Sequence, residues 1–440
     1  MQRSVDKELL NWKNDQERKS LLLRGARQVG KTYALRKLGE TFKYFIEINL
    51  EELPEAKVFF ERTRNPQELC EKLSIYFDIP IVPGETLLFF DEIQACPGAL
   101  KSLRFFYEKM PQLHVAAAGS LLEFVLEEIP SHGVGRITSI FMYPMTFSEF
   151  LIASGSENLE KLIRQSSPRN PPDSVFHEKI LDKLKIFQVI GGMPETVATY
   201  LKHRDFSRCQ KVLNDLITTI IDDFAKYKER VPVIKLQEVF YSTFNQVGSK
   251  FKYSRVSPPG GSTSGYKDAL ELLIKAGIVH RIFHTAARGL PLGAQVNDRK
   301  FKILPMDTGI YQRILGLDLS EHIVSDFNSL INRGHLSELF VGLELISHQS
   351  PYLHARLYYW HREAKSSNAE IDYVISSGGH IIPIEVKAGT KGQMQSLHIF
   401  LSERDFPWGI RISGENFATY DNIKTIPIYA VSQVSQVFAR

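Results

Sequence analysis

The stretch of sequence that decides the fold is an eight-residue run, Gly25-Ala26-Arg27-Gln28-Val29-Gly30-Lys31-Thr32. It has the spacing Gly-x-x-x-x-Gly-Lys-Thr, and it lies between a short apolar stretch at 19–24 and a helical pattern at 31–39. In this setting the glycines let backbone N–H groups face phosphates, and the helix N-terminus adds partial positive charge. Lys31 then approaches the β- and γ-phosphates, and the Thr32 hydroxyl is a ligand of Mg²⁺. The run therefore predicts that all eight residues bind ATP.

A second motif lies at the end of another apolar run, Leu87-Leu88-Phe89-Phe90, which leads directly into Asp91 and Glu92. At the end of a buried strand, Asp91 can hold Mg²⁺ and Glu92 can polarise the attacking water. Phosphoryl transfer depends mainly on such positioning and charge neutralisation. The alternative is an exposed acidic strand end. We expect Asp91 to be a cofactor and metal residue, and Glu92 to be catalytic together with Lys31.

Two further residues are candidates for the same reaction. Ser120 follows the apolar stretch at 115–118, where it could contact the γ-phosphate or the water, although a small polar residue is also a good turn former. Arg136 follows a glycine and could act as an arginine finger on a neighbouring subunit, or it could be an ordinary solvated arginine. For Ser120 and for Arg136, the sequence does not decide between the catalytic role and the ordinary one.

The remaining patterns predict three regions after a doubly wound α/β domain, in which apolar strands alternate with helices. Residues 175–230 are mostly helical. Helices at 235–247 and 265–276 precede a hairpin at 278–304, an order that favours a winged helix. Three strands then follow a helix that contains Glu338, and these strands cover 356–360, 369–375 and 381–387.

The last strands carry a second charged constellation. Glu385 and Lys387 are two residues apart on one strand, so they share a face. If Asp372 lies on the neighbouring strand, two carboxylates converge, and Glu338 can complete a metal shell. Such a site binds Mg²⁺ or Mn²⁺ and activates water against a phosphodiester, with Lys387 as a catalytic residue. The alternative is a solvent-facing Glu–Lys pair, and Glu370 shares the face of Asp372.

Charge and composition limit the classes of partner. The chain has 440 residues, a net charge of +4, and 43% hydrophobic residues, which suits a globular protein. Residues 231–310 contain eleven Lys or Arg against five Asp or Glu, and the segment 250–255 alternates cations with aromatic rings. That pattern favours DNA contact, with a solvated surface as the alternative. Three scattered cysteines, no signal peptide and no long apolar run predict a cytoplasmic protein without membrane contact.

The chain resembles the bacterial and archaeal AAA-type ATPases that carry a C-terminal domain of uncharacterised function. The resemblance covers nearly the whole chain. It rests on these stretches: the run 25–32, Phe-Phe-Asp-Glu-Ile-Gln at 89–94, Gly-Ser-Leu-Leu at 119–122, Gly135-Arg136, Tyr-Pro-Met-Thr-Phe-Ser-Glu-Phe at 143–150, Gly-Gly-Met-Pro-Glu at 191–195, Met-Asp-Thr-Gly-Ile at 306–310, Glu-Ile-Asp at 370–372 and Ile-Glu-Val-Lys-Ala-Gly at 384–389.

The resemblance implies an α/β fold class with four parts. These are an AAA-type P-loop domain (1–152), a helical lid (153–230), a winged helix (231–318) and a PD-(D/E)xK nuclease-like domain (319–440), similar to Holliday-junction resolvases. It also implies nucleotide roles for the run 25–32 and for Asp91 and Glu92, and it favours Arg136 as a finger. We therefore expect a homo-oligomer, with a hexamer as one ring size.

Two functions follow from these expectations. The first is an ATP-hydrolysing protein that acts on DNA, including branched DNA, and carries a nuclease-like C-terminal domain. The second is a nucleotide-gated regulatory switch whose winged-helix and nuclease-like domains are non-catalytic interaction modules. The geometry of Glu338, Asp372, Glu385 and Lys387 discriminates them, because cleavage needs these groups to meet in an open cleft.

Overall fold

A computed structural model describes residues 1–119, 126, 135–256, 264–319, 330, 333–362, 369–389 and 394–435. The chain forms two compact units. The first unit comprises Met1–Tyr143, Lys275–Gly277 and Ser350–His354, and the second comprises Pro144–Ile274, Ile278–Gln349 and Ala355–Arg440. Ser120 lies outside the described residues, so its predicted role stays a prediction.

The first unit is built on a five-stranded sheet in the order β2-β3-β4-β1-β5, and every described pairing in it is parallel. Its strands are β1 (Ser20–Arg24), β2 (Tyr44–Asn49), β3 (Thr86–Asp91), β4 (His114–Ala118) and β5 (Ile137–Phe141). Its helices are α1 (Ser4–Asn14), α2 (Lys31–Gly39), α3 (Pro54–Arg62), α4 (Pro66–Phe77) and α5 (Pro97–Lys109). The predicted α/β domain with a parallel sheet is confirmed.

Burial explains why these runs become central strands. Every residue of β3 and β4 is buried, as expected for strands covered by helices on both faces. Phe90 contacts Phe60 of α3 edge to face, and Phe106 of α5 packs on the same ring. This packing fixes the end of β3, and therefore it fixes the acidic residues that follow Phe90.

The second unit begins with helices. They are α6 (Phe147–Ala153), α7 (Glu157–Gln165), α8 (Ser174–Ile190), α9 (Pro194–His203), α10 (Phe206–Asp222), α11 (Val233–Asn245), α12 (Tyr266–Lys275), α13 (Thr308–Ile314), α14 (Arg333–Ser347) and α15 (Gln395–Arg404). Helical runs in 175–230 and near 235–247 and 265–276 were expected, and the structure contains them. No helix in the described parts of the chain combines the length and the apolar character that crossing a bilayer requires.

An eight-stranded mixed sheet completes the second unit, in the order β12-β13-β11-β10-β9-β8-β6-β7. Its strands are β6 (Val279–Thr285), β7 (Val296–Pro305), β8 (Leu357–His361), β9 (Glu370–Ser377), β10 (His380–Val386), β11 (Gly409–Ser413), β12 (Ala418–Tyr420) and β13 (Ile423–Pro427). The predicted hairpin is β6–β7, which is antiparallel. The three predicted strands near 356–387 are β8, β9 and β10.

The hairpin differs from a free-standing wing in one respect. Strand β6 also pairs in parallel with β8, with Ile282 opposite Leu357, so the hairpin is part of the same sheet as the C-terminal strands. The sequence boundary at 318/319 therefore does not separate two sheets. An apolar hairpin pattern shows which residues need burial, but it does not show which sheet supplies the partner strand.

Two of the motifs that carry the family resemblance, at 191–195 and 306–310, contact each other in the second unit and have a structural role. The Asp307 side chain accepts hydrogen bonds from the backbone N–H groups of Gly192 and Ile310, at 2.6 and 2.9 Å. Gly191 has φ 78°, and a Cβ atom there would lie 2.2 Å from Asp307 Oδ1. Asp307 thus caps α13 and also holds the chain where α8 ends, which accounts for Gly191 without a catalytic role.

Candidate functional site

The loop that precedes α2 has the backbone shape a phosphate cradle needs. Gly25, Gln28 and Gly30 all have positive φ, at 143°, 63° and 97°. A Cβ atom on Gly25 would lie 2.1 Å from the Met142 carbonyl oxygen, so only glycine fits there. The positive-φ residues turn the chain sharply before α2, whose first N–H groups lack intrahelical partners and are available to an anion.

Lys31 is buried at the start of α2, and its ammonium is held by the loop itself. Its Nζ donates to the carbonyl oxygens of Gly25 and Ala26, at 2.9 and 2.7 Å. Burial lowers the pKa of Lys31 to about 8, while Glu92 and Asp91 favour the charged form. The ammonium therefore stays charged at neutral pH, and carbonyl oxygens hold it in place.

The glycine-rich motif at 25–32 and the acidic motif at 91–92 are in direct contact. Thr32 Oγ1 donates to Asp91 Oδ2 at 3.0 Å, and the Glu92 backbone N–H donates to Asp91 Oδ1 at 3.0 Å. Burial raises the pKa of Asp91, with these two hydrogen bonds acting in the opposite direction. A hydroxyl and a carboxylate so close together are the oxygen donors that Mg²⁺ prefers, so these residues fit the expected ion.

Glu92 has a strained backbone at the end of β3. Its φ is 48° in the left-handed region, which is uncommon for a non-glycine residue. The Gln94 side-chain amide donates to its carboxylate. Strain of this kind persists only where the surrounding structure enforces it.

Arg136 lies just before β5 in the first unit. Its guanidinium forms an ion pair with Glu108 near the end of α5, and its side chain is 39% exposed. Arg104 and then Arg136 lower the pKa of Glu108. The structure thus gives Arg136 a partner within its own chain. The predicted role as an arginine finger for another subunit stays a prediction.

In the second unit, acidic residues of the predicted C-terminal site surround Lys302, a residue that the sequence patterns did not assign to that site. The Lys302 ammonium on β7 lies 2.8 Å from Glu338 and 3.9 Å from Asp372, and it forms an ion pair with Glu370. The Lys302 side chain is 1% exposed. We call Lys302, Glu338, Glu370 and Asp372 the carboxylate cluster.

Electrostatics within the carboxylate cluster favour a charged lysine. Burial lowers the pKa of Lys302, but the carboxylates of Glu338, Asp372 and Glu370 outweigh it, so the net shift is upward. Burial raises the pKa of Asp372, Glu338 raises it further, and Lys302 opposes the rise. Tyr373 adds to the packing by donating its hydroxyl to the Glu338 backbone oxygen at 2.7 Å. A resident ammonium therefore compensates these acids.

The other two predicted residues form a separate pair. Lys387 Nζ lies 2.6 Å from Glu385 Oε1. The β9–β10 register pairs Ile384 with Tyr373, so the next step along the strands sets Glu385 opposite Asp372. Glu385 Oε2 is buried without a hydrogen-bond partner among the described residues. The strand order and shared face therefore agree with the expectation, and the metal assignment to Glu338, Asp372 and Glu385 stays a prediction.

A divalent ion at the carboxylate cluster is a poor fit. The centre that such an ion would need is filled by the Lys302 ammonium, and Asp372 Oδ2 already accepts from the Val386 backbone N–H at 2.8 Å. Among the residues that the structure describes, no group of three or more His, Cys, Asp or Glu is placed to hold a metal. The signal that could have revealed Lys302 is its place in Phe301-Lys302-Ile303-Leu304, where it is a lysine within an otherwise apolar strand end.

In the basic segment 250–255, the aromatic rings are not placed as expected for contact with DNA bases. Phe251 is buried, and its ring stacks on Phe301 with centroids 5.8 Å apart. Tyr253 packs edge to face on both rings. Phe251 is therefore a core residue and is not available to stack on a base. Lys252 and Arg255 remain exposed.

Three family models match separate parts of the chain. Residues 17–151 match an AAA domain, residues 181–321 match a domain of unknown function (DUF8612), and residues 333–431 match another (DUF4143). The first match covers the loop, the acidic strand end and Arg136. The chain therefore contains an AAA-type P-loop ATPase domain.

Solved structures offer distant likenesses. The Walker-type ATPase PABY2304 of Pyrococcus abyssi is 17% identical over 71% of this chain and 95% of its own, with a TM-score of 0.45. A STAND protein with a tetratricopeptide repeat sensor, PH0952 of Pyrococcus horikoshii, is 10% identical over 78% of this chain and 45% of its own, with a TM-score of 0.27. The Drosophila ORC bound to DNA is 15% identical over 72% and 88%, with a TM-score of 0.24. No protein of curated function matches the chain.

Proposed function

We propose that this protein is a nucleotide-gated switch that binds and hydrolyses ATP in its first unit and binds DNA, without cutting it, through its second. The observation that carries the ATPase half is the 3.0 Å contact between Thr32 Oγ1 and Asp91 Oδ2, which joins two motifs 59 residues apart. The observation that carries the non-cutting half is the buried Lys302 ammonium among the acids.

The geometry of the first unit supports the following roles. The loop and the α2 N-terminus bind the phosphates, and Lys31 neutralises charge on them once its carbonyl contacts are exchanged for phosphate oxygens. Thr32 and Asp91 would hold Mg²⁺, which supplies charge neutralisation on the phosphate oxygens when bound. Glu92 orients and polarises water, and its own peptide N–H keeps Asp91 in place.

The ATPase half is tested by two substitutions. Lys31→Ala should abolish tight ATP binding, and Glu92→Gln should keep ATP and Mg²⁺ binding while hydrolysis falls about 100-fold or more. Nucleotide binding is measured by calorimetry and turnover by phosphate release. Hydrolysis by Glu92→Gln at the wild-type rate would overturn the role of Glu92.

DNA binding by the second unit is supported by exposed cations. Lys252, Arg255, Lys267, Arg288 and Arg299 are all exposed in or near the β6–β7 region. Contacts of this kind with backbone phosphates make affinity fall steeply with salt. Neutralising Lys252 and Arg255 together should weaken binding of duplex and four-way-junction DNA and reduce the salt slope by about two. Unchanged affinity and slope would remove this segment from the interface.

Metal-dependent DNA cleavage is a second candidate, and one observation favours it. Glu385 Oε2 is buried without a described partner, beside Lys387 and opposite Asp372. The test is cleavage of linear and branched DNA with Mg²⁺ or Mn²⁺ by the wild type, Glu385→Ala and Lys387→Ala. Cleavage by the wild type that both variants lose would establish a nuclease and overturn the non-cutting proposal.

Assembly is the remaining part of the proposal. We propose that the ATPase works as a homo-oligomer, of which a hexamer is one form, and that Arg136 leaves Glu108 to reach a neighbour's nucleotide. Mixing Arg136→Ala with Lys31→Ala subunits pairs an intact pocket with an intact finger. Recovered hydrolysis in complexes shown to co-assemble supports a finger that acts between subunits, and no recovery contradicts it.

A further inference from the structure

The second unit contains a cavity that the ATPase and DNA-binding roles do not use. It has a volume of about 360 Å³, which is within the size range of small-molecule sites. Its walls come from α8, from the start of α14, and from the loops that follow β10 and β11. The polar groups that carry the inference are Glu178, Lys185, Gln188, Arg333, Ser337 and Gly389.

Gln188 is the most informative of these residues. It is 3% exposed, it lines the cavity, and its side-chain Nε2 has no hydrogen-bond partner among the described residues. A buried amide donor without a partner is destabilising, because the hydrogen bond it made to water is not replaced. An acceptor supplied by a ligand in the cavity would satisfy it.

Two cations line the same cavity. Arg333 begins α14, and burial lowers the pKa of its guanidinium, so its charge is partly desolvated there. None of the described side chains forms an ion pair or hydrogen bond with that guanidinium. Lys185 lies one helical turn before Gln188 and contacts Asp182 at 2.8 Å. Ser337 lies one turn after Arg333 on α14 and is buried.

The two ends of the cavity differ in charge. Glu178 lies ten residues before Gln188 on α8, about 15 Å away along the helix axis. His177, next to Glu178, contacts the Gly414 oxygen at 3.1 Å, which places the loop after β11 at this acidic end. At the other end, the ring of Phe187, next to Gln188, contacts the ring of Phe340 on α14, with centroids 6.2 Å apart.

We propose that this cavity binds a small molecule with an oxyanion at one end and hydroxyl groups at the other, as in a sugar phosphate. Arg333, Lys185 and Gln188 donate to the oxyanion, with the Ser337 hydroxyl beside them. Glu178 accepts from a ligand hydroxyl. A charge-assisted bond to the oxyanion is the strongest of these contacts.

The test is calorimetric titration of the 440-residue chain with ribose 5-phosphate, inorganic phosphate, ribose and a short single-stranded oligonucleotide. We expect saturable binding of ribose 5-phosphate, at least tenfold tighter than that of ribose or of inorganic phosphate. Arg333→Gln and Lys185→Gln should each weaken it at least tenfold. Lys179→Gln is the matched control, since Lys179 is exposed on the same helix and should leave affinity unchanged.

Gln188→Met separates a binding role from a structural one. It should remove ribose 5-phosphate binding while it raises the melting temperature of the ligand-free protein, because a near-isosteric apolar side chain replaces an unsatisfied amide. No saturable binding by the wild type, or equal binding by wild type, Arg333→Gln and Gln188→Met, overturns the proposal. Tighter binding of the oligonucleotide that Arg333→Gln abolishes also overturns it in favour of a strand phosphate.

Discussion

The phosphate loop of the first unit and the carboxylate cluster of the second each centre on a buried lysine, and they differ in what surrounds it. Lys31 donates to two neutral carbonyl oxygens, with the acidic Asp91 and Glu92 acting on it at longer range. Lys302 is paired directly with carboxylates on β9 and α14. One ammonium is available to an incoming anion, whereas the other is already neutralised.

A buried lysine indicates function only through its partners. Burial lowers the pKa of Lys31, because the charged ammonium loses solvation there. A bound phosphate can offset that loss by pairing with the ammonium. The acids around Lys302 raise its pKa instead, so the charge stabilises the fold. The same substitution should therefore have opposite consequences at the two positions.

Lys302→Met should produce the largest effect. It leaves buried carboxylates without their cation, and breaking a buried ion pair from one side costs about 4 kcal/mol of unfolding free energy. Urea unfolding measures the loss, and ATP affinity should not change. Lys267→Met, at an exposed lysine of α12, is the control and should stay within about 0.5 kcal/mol.

A double variant sharpens the result for Lys302. Adding Glu338→Gln to Lys302→Met should recover part of the loss, because one of the stranded carboxylates is then neutral. We expect a coupling energy of about 1–3 kcal/mol between the two substitutions. Strictly additive losses would show that Lys302 does not balance Glu338.

Lys31→Met should act on binding instead of on the fold. Without the ammonium, ATP affinity should fall roughly 100-fold, equivalent to about 2.7 kcal/mol. The ligand-free protein should become more stable by about 1 kcal/mol, because a partly desolvated charge is removed. Calorimetry and nucleotide-free thermal unfolding measure the two quantities. Lys37→Met on the same helix serves as control, and a drop in stability for Lys31→Met would contradict the comparison.

The first unit also contains a buried histidine that should respond to acid. His114 at the start of β4 packs on Phe42 and Trp12, and burial lowers its pKa to about 4. The unfolded chain binds a proton near pH 6.5 and the folded chain does not, so stability is complete above pH 6.5 and declines as the pH falls toward 4.

The size of this acid effect can be measured directly. Between pH 7 and pH 5 the loss should be on the order of 2 kcal/mol, and His114→Gln should remove most of that pH dependence. Thermal unfolding with and without ATP identifies the transition of the first unit, because the ligand stabilises only the unit that binds it. An equal pH dependence in His114→Gln would exclude His114 as the cause.

Tyr373→Phe should give the smallest effect. It removes one hydroxyl that donates to the Glu338 backbone oxygen in the carboxylate cluster and leaves the ring packed. The expected loss is about 1 kcal/mol, typical of a single buried hydrogen bond. Tyr241→Phe, at an exposed tyrosine of α11, is the control. A loss of several kcal/mol would mean that the hydroxyl positions Glu338 for its contact with Lys302.

Local patterns predicted much of the fold and of the nucleotide site. The runs before Gly25 and before Asp91 became β1 and β3, because continuous apolar residues need cover on both faces. The helix at 333–347 and the strands β8 to β10 also followed from periodicity. Strands β5 and β11 to β13 were not predicted, and their places in the two sheets depend on pairing with strands distant in the sequence.

The carboxylate cluster could not be predicted in full, and the reason is physical. Spacing and alternation suggested that Asp372 and Glu385 lie on neighbouring strands, but they do not show which distant cation pairs with Glu338, Glu370 and Asp372. Lys302 lies on β7, which pairs with β6, and β6 in turn pairs with β8, so the neighbours of Lys302 are set by tertiary pairing. The environment of Phe251 is also set by tertiary packing. The alternation of cations and aromatic residues suggested that Phe251 stacks on a nucleic-acid base, but its ring stacks on Phe301 instead.

The parallel pairing of β6 with β8 has a consequence for how the chain is made. Ile282 pairs with Leu357, 75 residues later, and Lys302 meets acids that follow it by 36 to 70 residues. A ribosome therefore releases β6 and β7 well before their sheet partner exists, and non-local pairing of this kind closes slowly. During that interval the hairpin has an unpaired edge and Lys302 remains hydrated. Completion of the second unit has to wait until most of the C-terminal strands have emerged.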